Sequence, residues 1–196
     1  MIAGVLLAAG SSSRFGAQKL VAPLRGRAVI EWSLGTLASA VDECWVVVPS
    51  LDDAVAVVVR RAEGRAHIVA NVDRHGGIAS SIVAGVSALP ADCDAAVIAL
   101  GDEPLIAAAV VMTMVRRFVA DDHDAVMPNY RDGPGRPVLF SRALFPALVS
   151  LRGDRGAADL LRAVGPRVCR VDVDVPGPRD VDTVDALGAL DAMTWC

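Results

Sequence analysis

Residues 1–20 read MIAGVLLAAGSSSRFGAQKL, and the reading of this stretch decides the fold. Ile2 to Ala8 is a short, unbroken apolar run, the pattern of a strand covered on both faces, and such strands belong to parallel sheets flanked by helices. The run ends at Gly10-Ser11-Ser12-Ser13, and Arg14, Gly16 and Lys19 follow. A buried strand therefore opens into a loop of small residues that carries two cations. Backbone N–H groups in such a loop can be approached closely, and Arg14 and Lys19 can neutralise oxygens from two sides, so the chemistry suits a polyphosphate.

Two familiar phosphate loops are excluded. The P-loop requires G-x-x-x-x-G-K-[ST], yet the sixth residue counted from Gly10 is Phe15, and Gly16 is followed by Ala17. The dinucleotide motif G-x-G-x-x-G would need glycine at Ser12. An ordinary Gly/Ser-rich turn between strand and helix remains an equal alternative on these residues alone.

The chain has 196 residues, 54% hydrophobic and 21% charged, enough to bury a large core in a single domain spanning 1–196. A net charge of -4 with no Lys/Arg cluster argues against a nucleic-acid partner. Cys44, Cys93, Cys169 and Cys196 are scattered without a C-x-x-C pair, which suits reduced thiols in a cytoplasmic protein better than disulfides or a zinc site. No basic segment precedes the apolar start, so no signal peptide is read. The uncharged run Pro104 to Val115 is too short to cross a bilayer, and no membrane partner is expected.

Downstream, helical and strand patterns alternate. Helices are expected over Ala28–Val41, Asp52–Arg61, Ile78–Leu89, Leu105–Val119, Ala157–Val164 and from Asp180–Thr183 through Leu190. Strands are expected over Cys44–Pro49, His67–Ala70, Asp94–Leu100, Ala125–Pro128 and Val168–Val173, with residues 129–137 forming a loop into a further strand. The alternation is βαβ and the class is α/β with a mostly parallel sheet.

Several polar residues fall where chemistry is expected. Asp102 follows a buried strand onto the edge where the first loop opens, so it faces Lys19 across a cleft, where Mg²⁺ held by one or two carboxylates is the expected use. Its alternative is to cap the helix starting near Pro104. Ser80 and Ser81 lie in the first turn of a helix after Gly76-Gly77, where hydroxyls and free N–H groups meet an anion or a base edge. Capping is as good a reading for Ser80, whereas Ser81 is favoured as a ligand contact. Asp180 and Asp182 are two apart and can point together if the chain is extended, with N-capping by Asp182 and Thr183 as the alternative. Arg136 can equally be a solvated loop arginine, and Asp154 suits the cap of the helix at Ala157. His67, His75 and His123 are scattered and suggest no Ser/His/Asp or Cys/His pairing. That pattern fits phosphoryl transfer, whose phosphate nucleophile is already ionised.

Leu7 to Lys19, LAAGSSSRFGAQK, resembles the L-A-[AG]-G-x-S-x-R-[MF]-G-x-x-K opening of a nucleotidyltransferase family. That family includes the molybdenum-cofactor cytidylyl- and guanylyltransferases and many sugar-1-phosphate enzymes. Later segments resemble it in order. Asn71 and Gly77-Ile78-Ala79-Ser80-Ser81-Ile82 match a nucleotide segment, with Val72 in place of its proline. Gly101-Asp102-Glu103-Pro104 matches a G-D-x-P metal motif that commonly has Gln or Met where Glu103 stands, and the role of Glu103 is open. Gly135-Arg136-Pro137-Val138-Leu139-Phe140 matches an acceptor-side segment, and Leu151-Arg152-Gly153-Asp154-Arg155-Gly156 a turn whose following arginine is replaced by Ala158. Asp180-Val181-Asp182-Thr183 matches D-[IV]-D-T-P-E-D, with Val184, Asp185 and Ala186 replacing the last three residues.

The resemblance implies a three-layer α/β/α, Rossmann-like domain of the nucleotide-diphospho-sugar transferase type. It implies Leu7, Ala8, Ala9, Gly10, Ser11, Arg14, Lys19, Asn71 and Ser81 on the nucleotide, with Arg14, Lys19 and Asp102 catalytic. It places Asp102 and Asp180 on Mg²⁺, Mn²⁺ being the alternative ion, and Arg136 and Asp154 on the acceptor. Ala9, together with the Gly-Asp-Arg-Gly turn and Asp-Val-Asp-Thr, sides with the molybdopterin cytidylyltransferase branch. That branch implies CTP as donor, a molybdopterin-type acceptor, and a molybdoenzyme or its maturation chaperone as partner. Two rivals stand beside it. One is a nucleotidyltransferase for a sugar or polyol phosphate; the other is a non-catalytic nucleotide- or cofactor-binding protein, encouraged by Glu103 and Ala158.

Overall fold

The computed structural model describes residues 1–10, 15–62, 66–73 and 76–193; Ser11, Arg14, His75 and Cys196 lie outside the described residues. In chain order the elements are β1 (Ile2–Leu7), a short hairpin of β2 (Pro23–Leu24) and β3 (Arg27–Ala28), α1 (Val29–Ala38), β4 (Glu43–Val48), α2 (Ala54–Arg61), β5 (Ala66–Ala70), α3 (Gly77–Ser87) and β6 (Ala95–Leu100). The second half adds α4 (Ala108–Ala120), β7 (Ala125–Tyr130), β8 (Gly133–Pro134), β9 (Val138–Ser141), α5 (Phe145–Val149), α6 (Ala158–Val164), β10 (Val168–Asp172) and α7 (Val184–Ala192).

Within the described residues the main sheet runs β10-β7-β9-β6-β1-β4-β5, with β8 paired to β7. β1 lies inside it and pairs in parallel with β4 on one side and β6 on the other. Alternate residues of β1 feed two cores. Leu6 joins a cluster with Leu34 and Leu37 of α1, Val55 and Val59 of α2, and Val110 and Met114 of α4. Val5 and Leu7 join one with Ile82 and Val86 of α3 and Leu148 of α5. Helices thus cover both faces, giving the three-layer α/β/α domain expected, and an apolar run without polar alternation is what a doubly covered strand requires.

Three differences from the sequence reading have local causes. β9 is antiparallel and sits between β6 and β7, so the parallel order is interrupted on the side of the sheet away from β5. The short helix α5 was not expected; it starts at Phe145-Pro146, where proline is compatible with a first turn, and is only five residues long. Helix α7 begins at Val184 rather than at Asp180, because Thr183 is its cap, accepting from Ala186 N–H at 3.1 Å. Residues before it run extended, with Val181 fully buried and its N–H donating to Asp102 O at 2.9 Å. No helix among the described residues is long and apolar enough to cross a membrane.

Packing of α3 on the sheet depends on the missing side chain of Gly85. A Cβ there would lie 2.4 Å from Val5 Cγ1 and 3.0 Å from Val47 Cγ2, both on the central strands. Gly85→Ala is expected to destabilise by about 1–3 kcal/mol, despite alanine's better helix propensity, because the helix must move off β1 and β4. A fall in the urea midpoint at unchanged m-value is the measurement that checks it.

Candidate active site

The carboxyl ends of β1, β4 and β6 lie level, with Leu7 flanked by Val47 and Leu100. Backbone bonds hold the exits close, from Ala8 N–H to Val47 O at 2.8 Å and from Gly101 N–H to Leu7 O at 2.9 Å. This is the edge at which open α/β sheets form ligand crevices. A cleft of about 780 Å³ opens there. Leu7, Ala8, Ala9 and Gly10 line it from the β1 exit, together with Lys19, Asp102, Ser81 and Asp154.

Lys19 is the meeting point of distant parts of the chain. It follows Gln18 into a single 3-10 turn, and its Nζ donates to Asp102 Oδ2 at 2.6 Å and to Asp182 Oδ1 at 2.8 Å. Burial alone would pull this ammonium down; the two carboxylates overcome that and hold its pKa above the ordinary lysine value. Asp102 is therefore not a helix cap: α4 starts six residues later, with Ala107 in the cap position and no side-chain cap bond.

The two aspartates before α7 go to different cations. Pinning Val181 between them sends Asp182 to Lys19, beside Asp102, whereas Asp180 lies 3.2 Å from Arg136 Nη2. Sequence matching pointed to Asp180 as Asp102's companion, and the geometry gives that place to Asp182. Arg136 does not line the cleft; it lies next to it, with Nε 2.7 Å and Nη2 2.5 Å from Glu103 Oε1. Burial lowers the Arg136 pKa, and Glu103, then Asp180 and Asp102, together raise it above the ordinary arginine value.

Asn71 does not line the cleft either. Only 3% exposed, it donates from Nδ2 to Ser80 Oγ at 2.9 Å and to Ser81 Oγ at 3.1 Å, so it orients α3's first turn from behind. With Ser80 it borders a second hollow of about 570 Å³. Ser80 does not cap α3, whose cap position is Gly76 without a side-chain bond; its hydroxyl donates back to Gly77 O at 2.8 Å, while Ser81 lines the main cleft. Asp154 borders both hollows and caps nothing; α6 has Ala157 in its cap position. It packs instead on Gly77, whose φ of +71° and closeness to Asp154 Oδ1, 2.0 Å from where a Cβ would stand, require glycine.

Sequence reasoning missed Pro49 and Asp53, which line the cleft from the exit of β4. The neighbouring parallel strand was legible, and the rule that ligands sit at carboxyl ends of strands would have found them. Asp53 also caps α2, accepting from Val55 N–H at 2.8 Å.

Carboxylate oxygens that share one ammonium are hard donors, suited to a divalent cation whose other positions go to phosphate and water. No cluster of three or more His, Cys, Asp or Glu able to hold a metal by itself exists among the described residues. The donor set fits that use.

A mostly parallel sheet whose inner strand β1 ends in a small-residue exit, with a lysine between two aspartates from remote segments, defines a phosphate-handling α/β protein. The chain belongs to the MobA-like NTP transferase family, whose model matches residues 4–168. It is 30% identical to the purine catabolism protein PucB of Bacillus subtilis over 169 residues, covering 82% of this chain and 80% of that one. The crystal structure of Rv0371c from Mycobacterium tuberculosis superposes with a TM-score of 0.84 at 30% identity, covering 98% of each chain. The same protein's complex with manganese gives 0.80 at 29% identity, covering 96% of this chain and 97% of that one.

Burial pushes the Glu103 carboxyl up to about 7 against the pull of Arg136, with Asp180 adding to the rise. The folded chain therefore holds this proton more tightly than the unfolded one, whose value is near 4.5. The associated stability is complete below that lower value and is lost as pH rises through about 7. Relative to Glu103→Gln, the wild-type chain is expected to lose unfolding free energy between pH 4.5 and pH 8, which urea titrations at both ends would measure.

Proposed function

We propose that this protein transfers a nucleotidyl group, CMP from CTP, to the terminal phosphate of a molybdopterin-type acceptor and releases pyrophosphate. The observation that carries the reading is Lys19 gripped by Asp102 and Asp182 on the wall of a cleft at the carboxyl ends of β1 and β6. A cation and two carboxylates from separate segments are what a metal-bound triphosphate needs on its flank. Family membership supports nucleotidyl transfer, and Ala9 supports the cytidylyl branch.

In this reading the triphosphate lies along Ala8, Ala9 and Gly10, with Ser81 on the far wall near the base or sugar. Asp102 and Asp182 would hold Mg²⁺, or Mn²⁺, which when bound neutralises phosphate charge. Asp180, the companion expected from the motif, stays with Arg136. An oxygen of the acceptor phosphate attacks the α-phosphorus in line; the new P–O bond forms as the bond to the bridging oxygen of the β-phosphate breaks, and the electron pair leaves with pyrophosphate. Lys19, with the Arg14 of the motif, stabilises charge gathering on the transferring and leaving groups. No side chain has to remove a proton from an ionised phosphate. Arg136 and Asp154 stand on the acceptor side, and a molybdoenzyme or its chaperone is the receiving partner.

Pyrophosphate release, measured with Mg²⁺ and each of CTP, GTP, ATP and UTP against a panel of phosphorylated acceptors, is the test. CTP with a molybdopterin-type acceptor is expected to exceed every other pair. Preference for a sugar or polyol phosphate would move the acceptor assignment, and nucleotide binding without release under any acceptor would leave a binding protein.

Lys19→Ala is expected to lower kcat by about 100-fold or more, as removal of one preorganised transition-state donor does elsewhere, with a smaller change in KM. Asp102→Ala is expected to raise the metal concentration needed for half-maximal rate and to lower kcat as well. Both can be read from initial rates of pyrophosphate release, after thermal melts show folded protein. Normal turnover by both variants would remove these roles.

A further inference from the structure

We propose that Glu103 is the positioning residue of the acceptor side, its buried carboxyl holding the Arg136 guanidinium beside the cleft to receive the acceptor's phosphate. The inference rests on the nucleotidyl-transfer reading and gives a role to the acidic residue next to Asp102.

Glu103 is 1% exposed, an unusual place for a carboxyl, and such groups persist inside a fold when a cation or donors compensate them. Its compensation is one-sided. Oε1 accepts from Nε of Arg136 at 2.7 Å and pairs with its Nη2 at 2.5 Å, while Oε2 is buried with no hydrogen-bond partner among the described residues. For stability alone an apolar side chain would serve as well or better at such a site. What the carboxyl supplies is a fixed orientation for Arg136.

The backbone at Arg136 is fixed as well. Tyr130 Oη donates to Arg136 O at 2.7 Å, and Gly135 N–H donates to Pro128 O at 3.1 Å. The Tyr130 ring lies so close to Gly135 that a Cβ would stand 3.0 Å from Cε2. Side chain and main chain are thus anchored from β6 and β7 together. With Nε and Nη2 engaged by Glu103 and Asp180, Nη1 has no partner among the described residues, and the side chain is 48% exposed. A guanidinium held by one edge keeps its remaining planar donors aligned for a phosphate, which a freely rotating arginine does not. The ligand class is a phosphate monoester, the nucleophile of the reaction.

The test is calorimetric titration of inorganic phosphate into the protein, with and without Mg²⁺ and the non-transferable analogue α,β-methylene-CTP. Glu103→Leu is expected to weaken phosphate binding about tenfold or more while the melting temperature holds or rises, because Arg136 can turn to water. Glu103→Gln, which keeps an acceptor in place, is expected to stay within about threefold of wild type. Arg136→Ala should lose the phosphate, and Glu103→Leu combined with it should lose nothing further, since the first residue acts through the second. Glu103→Met carries the same expectation as Glu103→Leu and replaces it if the leucine variant does not fold. Wild-type phosphate affinity in either apolar variant, or losses that add in the double variant, overturns the proposal. So does phosphate binding that ignores Arg136→Ala. Failure of wild-type protein to bind the analogue counts against nucleotidyl transfer alone, because titration without the analogue still decides the part played by Glu103.

Discussion

The ammonium of Lys19, 2.6 Å from Asp102 and 2.8 Å from Asp182, is the interaction on which the arrangement of the site depends. It joins the exit of the first strand, the exit of the central β6 and the extended segment before the last helix. None of these segments is near another in sequence, and each reaches the cation only because the sheet sets β1 beside β6 and because Val181 is pinned under Asp102. Partly buried carboxylates brought together would repel one another, so the lysine is also what allows two acidic groups to share one wall.

A second cation repeats the device a short way off. Arg136 lies between Glu103 and Asp180, respectively one and two residues from an aspartate on Lys19, so two parallel acid–base clusters run along the same pair of segments. The Lys19 cluster borders the main cleft; the Arg136 cluster borders the half of the sheet where β9 reverses direction. The two clusters therefore occupy separate halves of one edge.

Much of this was legible in the residues. The unbroken apolar runs at Ile2 and Asp94 mark doubly covered strands, and their exits carry Lys19 and Asp102, so the opposition of those two residues followed from the parallel βαβ pattern alone. The antiparallel insertion of β9 was not legible, because a four-residue apolar strand has the same pattern whichever way it runs. The choice between Asp180 and Asp182 was not legible either, since period-two spacing puts both on one face and only the pinning of Val181 separates their partners. Asn71 illustrates the same limit. The segment match puts it on the nucleotide, and nothing in the sequence shows that it is buried with its amide bonded to Ser80 and Ser81.

The dependence on residues 180–182 has a consequence for biosynthesis. A nascent chain that has emerged only through β10 can already form every strand of the sheet, yet Lys19 and Arg136 each lack an aspartate partner until the segment beyond it leaves the ribosome. The edge that carries both cations is thus completed last, after the strands beneath it, when Val181 and Leu190 join the core.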